Sequence, residues 1–277
     1  MASANVRELA HHIDRVRRRT TPRRSGVVLA EIPGGWMSAK PAAAPGEVPS
    51  LSTNRVYWMD REAPIGEPEI AGARAEARRL GLTRLYLWLP PWAWNEGVER
   101  SLNTAGAERW PDLEYIALAR EAAEVESGGP PALDVRSLGA DEIERRIAGT
   151  SPWYSEEGVT AATRLVRDGI SEMHAALEGD QVVALSALTM DGDWAYLSAA
   201  GTDPAHRGRG AQTAMIAARV KRAAELGAKW CACETNTAVP ISLRNLRRCG
   251  FEERIFWRVY VWNIGRQNTP ARTGEDQ

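Results

Sequence analysis

The sequence predicts a mixed α/β fold with a mostly antiparallel central sheet flanked by helices, and three observations carry that expectation. Gly179-Asp180 and Asp191-Gly192 split residues 173–202 into three β-prone runs, and turn pairs of this kind join antiparallel strands. "AHRGRGAQTAM" (205–215) then sets two glycines and two arginines between the last run and a stretch of helical period. Earlier, "ESGGPPALDV" (126–135) combines Gly-Gly with Pro-Pro, a strong break, in a 277-residue chain long enough for two ordinary domains. Domains are therefore expected over 1–128 and 132–264, with a polar, disordered tail over 265–277.

Each element follows from its local pattern. Val6, Leu9, Ile13 and Val16 recur at helical spacing, which predicts a short amphipathic helix with a solvated arginine face. Residues 39–52, rich in Pro, Ala and Gly, read as a surface loop. "PALDVRSL" predicts a strand, and helices follow around 139–148 and 157–168. After the three antiparallel strands and the elbow, Met215, Ile216, Val220, Ala223 and Leu226 keep a helical period that Gly227 closes. A strand over 229–235, a short helix ending at Gly250 and a strand over 253–262 complete the order. The first half echoes part of this. "EARRLGLTRLYLWLPP" (76–91) follows the pattern of "RAAELGAKWCACETN" (222–236), and "AGAERWPDLEYIALA" (105–119) follows that of "RRCGFEERIFWRVYV" (247–261). The arginine-glycine elbow has no counterpart before residue 68.

Composition narrows the function. Lys and Arg total 35 against 36 Asp and Glu, so the net charge of −1 gives no general attraction to nucleic acid or an acidic membrane surface. No apolar run approaches the roughly 20 residues of a bilayer span, and the basic N-terminus lacks the apolar stretch of a secretory signal. Glu8 and Asp14 interrupt any transit-peptide pattern there. Three cysteines, Cys231, Cys233 and Cys249, are too few for a disulfide framework and point to a reducing, cytoplasmic setting. Cys231 and Cys233 share one strand face with no second ligand pair, so they read as buried small hydrophobes, and no metal is implied.

The elbow describes an anion site. The first amides of a helix have no intrahelical acceptor, the helix dipole adds partial positive charge, and glycines let an anion approach the main chain. Arg207 and Arg209 add formal charge. A Walker A loop would need a lysine and a hydroxyl that residues 201–215 do not supply in that order. A Rossmann turn would need a third glycine where Thr213 stands, and a parallel unit where hairpins precede.

The stretch "GTDPAHRGRGAQTAMIAARVKRAAELGAKWCACET", followed by "SLRNLRRCGF", resembles the GNAT superfamily of acyl-CoA-dependent N-acyltransferases, whose signature is [QR]xxGx[GA] between a strand and a helix. Arg207, Gly208, Arg209, Gly210 and Ala211 follow it in order, while Gln212 stands where the family prefers Gly or Ala. The likeness spans about residues 132–262, and "NRVYWMD" (54–60) with the echoes above suggests a degenerate GNAT-like first domain, two domains in tandem. The resemblance implies that the 207–212 amides hold the pyrophosphate of acetyl-CoA. It also implies that backbone groups of Ala200 and Thr202 contact pantetheine from a free strand edge, and that Ser242 and Asn245 lie near the CoA arm.

Transfer of an acyl group to an amine requires removal of a proton. Glu234, at the end of strand 229–235, is the candidate base; the alternative is a strand-end carboxylate in a salt bridge. The resemblance places a tyrosine acid at the position of Leu246, leaving water, Ser242 or another hydroxyl as donor. His174 reads as a satisfied strand histidine rather than an acceptor-pocket group, and His11, His12 and His206 as surface residues. Cys249 reads as packing. Trp92 and Trp94, two of eleven tryptophans, read as a plug of the interdomain core before an acceptor-pocket lining. The expected activity is acetyl transfer from acetyl-CoA to a small-molecule primary amine by direct attack, with an oxyanion held by a backbone N–H near Thr202, in a monomer or homodimer. The alternatives are a non-catalytic acyl-CoA-binding protein and an aminoacyl-tRNA-dependent transferase; the neutral charge and intact elbow stand against a nucleic-acid partner.

Overall fold

The computed structural model describes residues 5–41, 53–59, 63–123, 133–147 and 154–264. In chain order its elements begin with α1 (Val6–Thr20), β1 (Val28–Ile32), β2 (Gly35–Ala39), β3 (Arg55–Tyr57), α2 (Glu67–Arg79), β4 (Arg84–Leu89), α3 (Glu96–Thr104) and β5 (Ala107–Glu121). The second half supplies β6 (Asp134–Leu138), α4 (Ala140–Ile147), α5 (Glu156–Arg167), β7 (Glu172–Glu178), β8 (Gln181–Asp191) and β9 (Trp194–Thr202). It ends with α6 (Ala211–Glu225), β10 (Trp230–Asn236), α7 (Pro240–Arg248) and β11 (Glu252–Asn263). The mixed, mostly antiparallel α/β class read from the sequence is the class observed. Among the described residues no helix is long and apolar enough to cross a membrane.

The chain forms two compact units, but they are not its two halves in order. The larger unit joins Met1–Ser25 to Asp112–Phe256, and the smaller joins Gly26–Pro111 to Trp257–Gln277. The expected division into 1–128 and 132–264 is corrected by strand pairing. The first half's last strand, β5, pairs antiparallel with β10 from Tyr115↔Asn236 to Glu121↔Trp230. The second half's last strand, β11, pairs antiparallel with β4 from Leu89↔Arg258 to Arg84↔Asn263. Sequence patterns reveal strands but not partners this distant. The Gly-Gly-Pro-Pro break (residues 128–131), the loop over 42–52 and the tail after 264 lie outside the described residues.

In the larger unit the strand order is β5-β10-β9-β8-β7-β6, antiparallel except for β10 beside β9. Side-chain alternation divides this sheet into two packed faces. Leu197, Cys231 and Cys233 pack with Ile216 and Val220 of α6 and Leu243 and Leu246 of α7. On the other face Met173, Ala175 and Ala187 meet Ile143 of α4 and Val159 of α5. The expected helix at the N-terminus forms, capped by the Asn5 side chain on the Arg7 amide. Its apolar stripe of Leu9, Ala10, Ile13 and Val16 is fully buried, and it packs over β8 and β9.

The smaller unit orders its strands β1-β2-β3-β4-β11, with β3 and β4 parallel. Its core gathers Trp58, Leu85, Leu87 and Trp262, and Trp92 and Trp94 pack against that same cluster. Trp94 Nε1–H donates to Tyr260 Oη at 2.9 Å. The two tryptophans thus belong to one unit's own core, which corrects the expected interdomain plug; aromatic bulk fills a short sheet from within.

Ile13, with no exposed surface and packed as part of the larger unit, makes the N-terminal helix a stability determinant. Ile13→Ala is expected to cost about 2–5 kcal/mol in urea denaturation, and a loss well under 1 kcal/mol would show that α1 does not fold with the rest.

Candidate functional site

The site begins where two strands part. β9 and β10 pair in parallel from Trp194↔Trp230 to Leu197↔Cys233, and the register stops there. Beyond that point β10 remains paired to β5 through Asn236, and β9 remains paired to β8 through Thr202. Each strand is held on its outer side while the inner edges separate. Ala200 and Thr202 lie on this stretch of β9, beyond its last pair with β10.

A bulge accompanies the opening. Between Leu185↔Gly201 and Ala187↔Ser198 the β8–β9 register slips by one residue, and Ala199 takes a φ of 50°, a conformation costly for a residue with a Cβ. Arg219 of α6, which sequence reading missed, ties β8 to β9 at the Ala187↔Ser198 pair that flanks the slip. Its guanidinium is buried and donates to Ala187 O at 3.0 Å, Ser198 O at 3.4 Å and Met215 O of its own helix at 3.1 Å. Burial pushes the guanidinium down to about 10, with the thiols of Cys233, Cys231 and Cys249 acting in the opposite direction. A mid-helix arginine on an otherwise apolar face was the available signal.

The elbow follows β9. Gly208 and Gly210 take φ values of 77° and 82°, so glycine is what the turn requires at both positions. Gly210 caps α6, and the first intrahelical bond runs from the Ala214 N–H to Gly210 O, leaving the amides of Ala211, Gln212 and Thr213 ahead of it. A Cβ on Gly208 would meet nothing within 4 Å, so there is open space over the loop. Arg207 and Arg209 are exposed. Glu178 at the end of β7 braces the loop, lying 3.5 Å from Arg209 and 3.1 Å from His206, which also lies 3.3 Å from Asp203. His206 is therefore a bracing residue of the elbow.

Gln212, the departure from the family pattern, is used. Its Nε2 donates to Ser242 Oγ at 3.1 Å and its Oε1 accepts from Asn245 Nδ2 at 2.8 Å. The structure thus brings Gln212, Ser242 and Asn245 together, joining the start of α6 to α7.

Glu234 is the first residue of β10 past the last β9 pair, and its side chain is 3% exposed. Its Oε2 accepts from Arg17 Nε at 3.0 Å, from Arg17 Nη2 and from the Tyr196 hydroxyl. The salt-bridge alternative is thus realised, with a partner from α1. Oε1 is buried and has no hydrogen-bond partner among the described residues. Burial raises the Tyr196 phenol well above its ordinary range, so it remains a donor.

α1 carries more of this network. His12, expected at the surface, is fully buried, stacked on Trp194 and 3.1 Å from Asp191 Oδ2 through Nδ1. Arg15 Nη2 lies 2.8 Å and Arg19 Nη1 3.6 Å from Asp191. The hydrogen bond from His12, then those from Arg15, hold Asp191 down to about 2. Arg15 and Arg19 are exposed, as a solvated arginine face requires, while each also pairs with Asp191; Arg17 departs from that face, with its side chain largely buried against Glu234. His174 lies buried on the α6 side, 3.3 Å from Glu172, as a packed strand histidine. Cys231, Cys233 and Cys249 are free and buried, and burial pushes the Cys231 thiol up to about 12. Leu246 is buried in the core.

The start of α2, the matching helix of the smaller unit, differs. Glu69 Oε2 accepts from the Gly66 N–H at 2.8 Å, and Glu67 adds a second acidic group to that turn. This helix start is filled by its own carboxylate.

Residues 141–266 match the family described as "Acetyltransferase (GNAT) family". The fold is similar to a GCN5-related N-acetyltransferase from Kribbella flavida, with a TM-score of 0.66 at 17% identity, covering 91% of this chain and 95% of that one. It is also similar to a tandem GNAT protein from the clavulanic acid biosynthesis pathway, with a TM-score of 0.61 at 15% identity, covering 91% and 89%. A functionally unknown conserved protein from Staphylococcus epidermidis gives a TM-score of 0.53 at 10% identity, covering 77% and 86%. No curated protein matches the chain in sequence.

Burial lowers both His12 and His174 below the ordinary imidazole range, against Asp191 and Glu172 respectively, with Arg15 and Arg19 facing the first and Arg219 and Arg222 the second. Each takes up a proton less readily in the fold than in the unfolded chain, which gains one as pH falls through about 6.5. The unfolded state then binds more protons, so stability is full above that value and declines below it. Urea denaturation at about pH 7.5 and about pH 5.5 should show this fall, and the double variant His12→Gln/His174→Gln should flatten it.

Proposed function

The second half of this chain is a GNAT-family domain, and from that premise we propose that it transfers an acetyl group from acetyl-CoA to the amine of a small molecule. The observation that carries this reading is the conjunction of the open β9–β10 fork with a glycine-turned, arginine-bearing helix start at its end. The 207–212 loop would hold the pyrophosphate through its amides, with Arg207 and Arg209 adding charge. Ala200 and Thr202 would pair their backbone groups with pantetheine, and the Gln212–Ser242–Asn245 cluster would flank the CoA arm.

Acetyl-CoA supplies the activated thioester. Glu234 receives the amine proton as the nitrogen–carbon bond forms and the carbon–sulfur bond breaks, and the departing sulfur takes a proton from water. A backbone N–H on the free edge of β9, near Thr202, donates to the oxygen on which negative charge develops. Burial of Leu246 in the core means that no tyrosine acid serves at that position, and this favours a second reading, acyl-CoA binding without turnover. In the smaller unit the carboxylate-filled start of α2 stands against a second CoA site. A cytoplasmic, monomeric or homodimeric protein suits this chemistry.

Thermal unfolding against rising acetyl-CoA tests the reading. Ligand at about 100 times its dissociation constant adds about 2.7 kcal/mol of stability, and Gly210→Glu, which sets a carboxylate at a position of φ 82° beside the expected pyrophosphate, should abolish the shift. No shift in the parent at millimolar ligand would refute acetyl-CoA as the cosubstrate. Thiol release across a panel of primary amines then separates transfer from binding alone.

A further inference from the structure

We propose that the N-terminal helix is part of the active centre, with Arg17 a positioning residue that, together with the Tyr196 hydroxyl, occupies Glu234 Oε2 and so leaves Oε1 to the acceptor amine. The inference rests on the acetyl-transfer reading above and names an oxygen and a residue that reading leaves open. Three donor contacts converge on Oε2: Arg17 Nε, Arg17 Nη2 and the Tyr196 hydroxyl. Oε1 receives none, although it is buried. An unpaired acceptor atom on a buried carboxylate is costly, and one placed where β9 and β10 part has a use if an N–H arrives there.

Arg17 is itself constrained. Its Nη2 also donates to Tyr196 Oη at 3.2 Å, closing a three-membered network, and its guanidinium lies 5.9 Å from the Tyr196 ring centre. The helix behind it is fixed by the buried stripe of Leu9, Ile13 and Val16 and by His12 stacked on Trp194. Two carboxylate oxygens equivalent in free solution become inequivalent here, one engaged and one buried with no partner among the described residues. During transfer the amine N–H proton passes to Oε1 as the nitrogen–carbon bond forms, the thioester carbon–sulfur bond breaks, and the sulfur is protonated from water. Loss of Arg17 would leave the carboxylate free to turn, with one donor where there were three, so a catalytic oxygen would lose its aim.

The test compares Arg17→Ala, Arg17→Lys and Glu234→Gln with the parent, using acetyl-CoA and the best substrate from the primary-amine panel. Arg15→Met is the control, because Arg15 pairs with Asp191 and not with Glu234. Calorimetry should find acetyl-CoA affinity within about twofold of the parent in every variant, since Arg17 serves the carboxylate and not the phosphate loop. Turnover should fall at least about 100-fold in Glu234→Gln, which presents an NH2 group or a misdirected oxygen. It should fall on the order of 10- to 100-fold in Arg17→Ala, recover in part in Arg17→Lys and with millimolar guanidinium chloride added to Arg17→Ala, and stay at the parental level in Arg15→Met.

Folded Arg17→Ala protein with parental turnover would overturn the proposal, as would a loss that neither lysine nor guanidinium restores. Equal losses in Arg17→Ala and Arg15→Met would reduce α1 to a structural brace and likewise overturn it. A parent protein that turns over no amine would instead defeat the acetyl-transfer reading itself, and the role of Arg17 with it.

Discussion

The candidate site in the larger unit depends on β9 and β10 separating after Leu197 and Cys233. Parallel neighbours would ordinarily continue to pair, because unpaired backbone groups are costly. Here each strand has a stronger commitment on its outer side. β10 is held through Asn236 by β5, and β9 is held through Thr202 by β8. The slip at Ala199 lets β9 bend without losing that outer ladder, and Arg219 holds the carbonyls of the Ala187↔Ser198 pair that flanks it, one from each strand. A buried cation without a carboxylate partner is an expensive fastening. Its use here makes sense if the bend is what the site needs, since the open inner edge left behind presents a row of donors and acceptors beyond Leu197 and Cys233.

The two helix starts show how the same local architecture diverges by charge alone. At α6 the turn is made by glycines with positive φ, and the nearby side chains are Arg207 and Arg209. At α2 the first turn carries Glu67 and Glu69, and one of these carboxylates already accepts the Gly66 amide. A helix dipole attracts any anion, including one from its own sequence. In the smaller unit that attraction is spent inside the fold, where it caps the helix. In the larger unit it remains directed outward. The smaller unit has an aromatic core of Trp58 and Trp262 with Trp92 and Trp94 packed beside it.

The parts of the site readable from the sequence are those set by neighbours in the chain. Gly208 and Gly210 announce a turn by their identity, the two hairpin pairs announce antiparallel strands, and the apolar spacing of α6 announces a helix beginning where the turn ends. Glu234 could be placed at a strand end for the same reason. Its partner could not, because Arg17 lies 217 residues away and its neighbours in sequence are also arginines. A basic stripe on an amphipathic helix looks solvated unless one knows that Asp191 and Glu234 await it. His12 was hidden in the same way, by a tryptophan from the other end of the chain. The exchange of β5 and β11 escaped notice because a strand's alternation says which face is buried and nothing about its neighbour.

That exchange changes what a self-contained family domain would have to include. A segment cut at the Gly-Gly-Pro-Pro break would retain the elbow, the bulge and Arg219, and would match the family over most of its length. It would lack β5, leaving one edge of β10 unpaired from Trp230 to Asn236, and it would lack α1, leaving Glu234 without Arg17. The first loss removes the outer hold that lets β10 leave β9, and an unpaired inner and outer edge on one strand has no reason to keep the fork open. The second leaves a buried carboxylate without its counter-charge, a costly condition relieved only by rearrangement or protonation. The first half of the chain therefore contributes to the site even though its own helix start binds its own carboxylate. It lends one strand that opens the fork and one helix that faces the carboxylate beside it, and these are the two ends of the half, residues 5–25 and 112–121.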